Sequence, residues 1–135
     1  MQMFYEKPGV VRTYMDSSLP STIVVEWDNL YDGDVIKESC QAQLDKVKSG
    51  AKYLIIETSK AKGVPKQDIQ SWFGDTLFPA FDKAGLKAMI TVVPESALSK
   101  MAAKNWIRNG SPFGFDSYDA ASLDDAKNLI KKLNG

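Results

Sequence analysis

Residues 52–72 read KYLIIETSKAKGVPKQDIQSW, and the order of their parts sets the class of fold. Tyr53 to Ile56 is apolar at successive positions, so both faces of an extended chain ask for cover, as in a parallel strand with helices on either side. A polar loop, Thr58 to Val64, comes next. Pro65 then suits the first turn of a helix, where a missing N–H would be unpaired in any case. Beyond it Ile69, Trp72, Phe73, Leu77, Ala80 and Phe81 recur at helical spacing. Gly74 and Pro79 disturb that helix, because Pro79 has no amide to offer the Asp75 carbonyl. A kink or break is expected between them, and the helix should stop near Ala84-Gly85.

The same alternation extends outward in both directions. Downstream, Leu86 to Val93 is a second strand apolar on both faces. Pro94-Glu95-Ser96 opens a helix with Leu98, Met101, Ala102 and Trp106 on one side, stopped at Asn109-Gly110. Phe113 to Tyr118 reads as the last strand. Ser122 then precedes Asp125 at capping-box spacing, and the final helix turns Leu123, Ala126, Leu129, Ile130 and Leu133 inward. Upstream, Asp34 can cap a helix running to Ser49 with the stripe Ile36, Cys40, Leu44 and Val47, and Gly50 marks its end. Before it, Val10 to Asp16 and Thr22 to Trp27 form an antiparallel pair across the breaker at Ser17 to Ser21. The residues before Pro8-Gly9 read as a polar start. The order β-β-α-β-α-β-α-β-α predicts an α/β fold: residues 1–135 as one domain with a single mixed, mostly parallel sheet of about five strands and helices packed on it.

Composition excludes several kinds of chemistry. The 135 residues carry 17 Lys plus Arg against 17 Asp plus Glu, so no overall field favours nucleic acid or an anionic surface. The chain has no histidine, which removes the commonest general base, the serine–histidine triads and the commonest zinc ligand. Its single cysteine, Cys40, lies within an apolar stripe and reads as core. Neither a Walker lysine motif nor GxGxxG nor metal-ligand spacing is present, so no nucleotide, cofactor or metal is expected. No apolar run reaches the ~20 residues of a membrane span, and no long apolar signal segment opens the chain. A cytoplasmic location is the expectation.

Loops at the carboxyl ends of parallel strands are where such folds usually bind. That rule selects Glu57, Thr58, Ser59 and Lys60 after the first parallel strand, Lys66 at the following helix start, and Glu95 and Ser96 after the next strand. Glu57, Glu95, Lys60 and the hydroxyls would suffice for acid–base chemistry. The plainer reading is that strand-end acids cap neighbouring amides while the lysines stay solvated. Adjacent Trp72 and Phe73 cannot both point inward, and Phe78 is offset from the stripe. These three form a candidate apolar pocket or contact patch. The aromatic surplus from Trp72 to Phe81 also suggests a homodimer.

The chain from about Val10 onward resembles the anti-sigma-factor-antagonist (STAS) fold, and more closely its small SpoIIAA-like members. Four sets of residues carry the likeness: Glu57, Ser59, Gly63 and Trp72; Pro79 with Lys83-Ala84-Gly85; Val93-Pro94; and Ser122-Leu123-Asp124-Asp125-Ala126. The resemblance implies a non-enzymatic regulatory or protein-interaction module with an unidentified protein partner. Because some SpoIIAA-like proteins are grouped with lipid-transfer folds, it also leaves open a carrier of a small apolar ligand. In the resembled family an Asp-Ser-Ser-Gly motif opens the helix after this strand and is phosphorylated. Here the place reads Pro65-Lys66-Gln67-Asp68, without a hydroxyl, so the phosphoserine switch is not carried over. The expected binding face is the loop Glu57 to Val64 with Pro65 to Asp68.

Overall fold

A computed structural model describes residues 2–63, 65–93 and 114–134. The strand read from YLIIE is central: β4 (Tyr53–Glu57) runs parallel to β3 (Thr22–Trp27) on one side and to β5 (Ala88–Val92) on the other. Beyond β5, β6 (Asp116–Ala120) continues in parallel. On the opposite flank β3 pairs antiparallel with β2 (Val11–Met15), and β2 with β1 (Gln2–Lys7). Among the described residues the sheet is mixed, with six strands in chain order.

Three expectations are corrected here. The sheet has a sixth strand, β1, where a polar start was read. Both ends of β1 are exposed, and a bulge between Met3 and Tyr5 breaks its register. Phe4 and Tyr5 therefore both pack against one core, which erases the period-two pattern a strand normally shows. The helix after β3 is capped by Asp32, not Asp34. The Asp32 carboxylate accepts the N–H groups of Asp34 and Val35 at 3.1 and 3.2 Å, and Asp34 becomes a first-turn acid favourable to the dipole of α1 (Gly33–Lys48). The last strand begins at Asp116 rather than Phe113. Phe115, just before it, is almost wholly buried against the core on the α1 side. Phe113, Glu95, Ser96 and the helix expected to carry Leu98, Met101, Ala102 and Trp106 lie outside the described residues.

The break expected near Gly74 takes a definite form. α2 (Gln67–Trp72) passes into a π-helical turn, Phe73–Leu77, and then into α3 (Phe78–Ala84). The Phe78 N–H reaches back five residues to the Phe73 carbonyl, and the next residue, Pro79, has no N–H to resume the ordinary ladder. α3 closes on Gly85, whose φ of +96° is left-handed, the conformation glycine adopts most cheaply. In α4 (Leu123–Asn134) the Ser122 half of the expected capping box forms, its hydroxyl accepting the Asp125 N–H at 3.1 Å.

Two cores result. Ile36, Cys40, Leu44 and Val47 of α1, with Ile69, Leu77 and Phe81 of the broken helix, pack on Ile23, Val25, Leu54 and Met89. On the opposite face Ala126 and Ile130 of α4 pack with Val24, Tyr53, Ile55, Ala88 and Ile90. β4 thus contributes to both cores, as its unbroken apolar run requires. Buried polar side chains in the first core satisfy one another: Ser39 lies 3.1 Å from Thr13, and the Gln43 amide donates to it at 3.1 Å. Asp16 joins the β2–β3 turn to α4 through Lys127 at 3.1 Å. The Ser18 hydroxyl, ahead of that lysine, holds the Asp16 carboxyl down at about 2. Among the described residues no helix is long and apolar enough to cross a membrane.

Candidate functional site

The expected binding loop leaves β4 at Glu57, which is only 7% exposed. Its carboxylate accepts the Ser59 N–H at 2.6 Å and also the Ser59 hydroxyl. Thr58 turns the other way, and its N–H and hydroxyl both donate to the Val92 carbonyl, at 3.0 and 2.9 Å. Further along, the Lys62 N–H donates to the Asp28 carbonyl at 3.1 Å, and the Leu30 N–H returns to the Lys62 carbonyl at 3.0 Å. A strand-like bridge between Asn29 and Lys62 results. The loop is therefore tied to the end of β5 on one side and to the loop after β3 on the other.

This changes the roles expected of its residues. Thr58 and Ser59 were read as donors for a ligand, but their hydroxyls are engaged within the fold. Glu57 serves as the acceptor that shapes the turn. What the loop offers outward is Lys60 and Lys62, both exposed, followed by exposed Lys66 at the start of α2. Among the described residues no group of three or more acids, cysteines and histidines is placed to hold a metal ion. Cys40 is buried, and burial pushes its thiol up to about 12. It is packing, not a nucleophile.

The aromatic residues read as a candidate pocket stack in series. Trp72 and Phe73 have ring centroids 5.8 Å apart, Phe73 and Phe78 6.0 Å, and Phe78 meets buried Phe115 edge-on at 6.1 Å. All three are half-buried against the α1-side core. The Lys37 ammonium lies 5.7 Å from the Trp72 ring centre.

An open cleft of about 470 Å³ lies beside them, lined by other residues: Tyr31, Asp32, Gly33, Asp34 and Lys37 from the β3–α1 connection, and Lys66, Asp68 and Ile69 from the start of α2. Two glycines let its walls approach. A Cβ on Gly33 would come within 3.0 Å of the Ile69 side chain, and one on Gly63 would collide with the Tyr31 ring. Tyr31 is braced on one side by that backbone yet remains 63% exposed. Asp32 is occupied as the helix cap and Lys37 lies over Trp72. Asp34, Lys66 and Asp68 make no side-chain hydrogen bond or ion pair with any described residue.

Of the site residues read from sequence, the fold brings Lys66 into the cleft, while Glu57, Thr58 and Ser59 lie outside its lining, Ser59 bonded to Glu57 and Thr58 to Val92. Trp72, Phe73 and Phe78 form a separate aromatic row. Asp68 falls within the expected face Pro65 to Asp68, Asp34 was read only as a helix cap, and Tyr31 was not singled out. β3 had been read as half of a hairpin, so the rule about carboxyl ends of parallel strands was applied to the strands from β4 onward, including Tyr118 and Asp119 of the last, and not to β3. Applied to β3 as well, it points to the Asp28–Gly33 loop. At the far end of the sheet, Asp119 stands across from Thr91 with one carboxylate oxygen buried and without a described partner, and burial raises its carboxyl. Comparison of the chain with protein-family models, with curated proteins and with solved structures finds no match.

Proposed function

We propose that this protein is a non-enzymatic regulatory or protein-interaction module of the anti-sigma-factor-antagonist type, without the phosphoserine switch. The observation that carries the reading is the loop after β4. Its groups best suited to chemistry, Glu57 and the hydroxyls of Thr58 and Ser59, are hydrogen-bonded inside the fold. Its lysines face out from a backbone braced against the end of β5 and the loop after β3. A surface held in place before a partner arrives loses less entropy on binding. Glu57, one of the two acids read as an acid–base pair, is covered by the fold rather than open to a substrate. A carrier of apolar ligands is less well supported, since five of the eight residues lining the cleft are charged.

The triple variant Ser59→Ala/Lys60→Glu/Lys66→Glu tests the reading. Stability should change within roughly 0.5 kcal/mol at each lysine, whereas Ser59→Ala, which removes a hydrogen bond to the buried Glu57 carboxylate, should cost about 1–3 kcal/mol. Partner proteins recovered by the wild-type chain from its native host should be lost. Recovery of the same partners with unchanged affinity would place the binding face elsewhere.

A further inference from the structure

We propose that the cleft between the starts of α1 and α2 receives an arginine side chain from a segment of a partner protein, an inference that rests on this face being the one a partner meets. Three features converge on a planar cation. Tyr31 offers an aromatic surface that is 63% exposed, with its ring lying against the Gly63 backbone. Asp34 and Asp68 line the same cleft with carboxylates that no described residue pairs, and Asp32 adds a third negative charge from the cap of α1. Of the two lysines in the lining, Lys37 lies over Trp72.

A guanidinium satisfies this set better than an ammonium does. It can lie flat on the tyrosine ring while its edge forms paired hydrogen bonds to a carboxylate, and it sheds water more readily. The open cleft of about 470 Å³ has room for an arginine side chain. Lys66 supplies the complement. Its ammonium, also without a described partner, favours an acid next to the arginine in the incoming segment and disfavours an uninterrupted basic run.

The experiment is an amide NMR titration of the full chain at low salt with N-acetyl-arginine methylamide, using the norleucine analogue as the uncharged control. Saturable shifts are expected at Tyr31, Gly33, Asp34 and Asp68, with a dissociation constant on the order of millimolar for so small a probe. In Asp34→Asn/Asp68→Asn, with an unchanged melting profile, binding should weaken roughly tenfold. Tyr31→Ala should weaken it separately, since stacking is lost while both carboxylates stay. Absence of saturable shifts in the wild-type chain, or equal shifts with the norleucine probe, overturns the proposal. So does unchanged affinity in the double aspartate variant. If the loop triple variant loses its partner while arginine gives no shifts, the arginine assignment alone falls. If arginine binds as expected and the triple variant keeps its partner, the partner face falls and the guanidinium site stands.

Discussion

α1 and the broken helix α2–α3 cover the same face of the sheet and contribute to the same core, yet they are stabilised by different means. α1 is sixteen residues long with a side-chain cap at its start, an acid in its first turn and lysines in its last. Each favours a helix before any tertiary contact forms. The second helix starts at Lys66, whose side chain makes no capping bond, and it contains a π-helical turn and a proline. Its local signals oppose a regular helix, so packing must supply what capping and propensity do not. The irregular helix also forms one wall of the cleft. The locally encoded helix acts as scaffold, and the one held from outside presents the site.

The largest expected effect tests that division directly. Phe81 is fully buried in α3, and Phe81→Ala should cost about 3–5 kcal/mol, read as a lowered urea midpoint. Ile36→Ala, at a buried position of α1, removes fewer atoms and should cost about 2–5 kcal/mol. Hydrogen exchange sharpens the comparison. In Phe81→Ala the α2–α3 amides should lose protection first while α1 keeps most of its own. Equal loss in both helices would mean that they form one cooperative unit and that the contrast has no energetic content.

A smaller effect separates the two candidate caps of α1. Asp32→Ala should cost about 1 kcal/mol, because the Asp34 and Val35 amides lose their acceptor. Asp34→Ala removes only a first-turn charge and should cost about 0.3–1 kcal/mol, declining as salt is raised. The ratio of the two, measured by urea denaturation at low and high salt, identifies the cap. If Asp34→Ala proved the costlier, the start of α1 would lie where the sequence alone suggested.

The extent to which the fold could be read from sequence follows from the same contrast. β4 announced itself because burial on both faces leaves an unbroken apolar run, and α1 because its stripe, cap region and Gly50 agree. The break at Gly74 to Pro79 was legible because proline removes a specific amide. β1 was not, since an exposed edge strand with a bulge has little buried surface to impose a pattern. The site was legible only in its backbone. Loop position at a strand's carboxyl end follows from topology, but which hydroxyls turn inward depends on partners distant in sequence. Thr58, for example, bonds to Val92. Tyr31 and Asp68 lie 37 positions apart, and only the folded α2 start brings them to one cleft.

The smallest effect is the one that links stability to the proposed role. Lys66 holds the backbone of an N-cap, with φ −62° and ψ 158°, and its carbonyl already accepts from Ile69 and Gln70 at 3.0 Å. Only the side chain is wrong for the position, since a lysine has no acceptor to turn back on the first amides of the helix. Lys66→Ser supplies that acceptor without adding charge beside Asp68 and should stabilise the protein by about 0.5 kcal/mol. The same change removes the Lys66 ammonium from the cleft, so affinity for a partner should fall as stability rises. Opposite signs in a melting profile and a binding isotherm are what a position kept for recognition at the expense of its helix would give. A gain in stability with binding unchanged would instead leave the uncapped start of α2 without a functional reason.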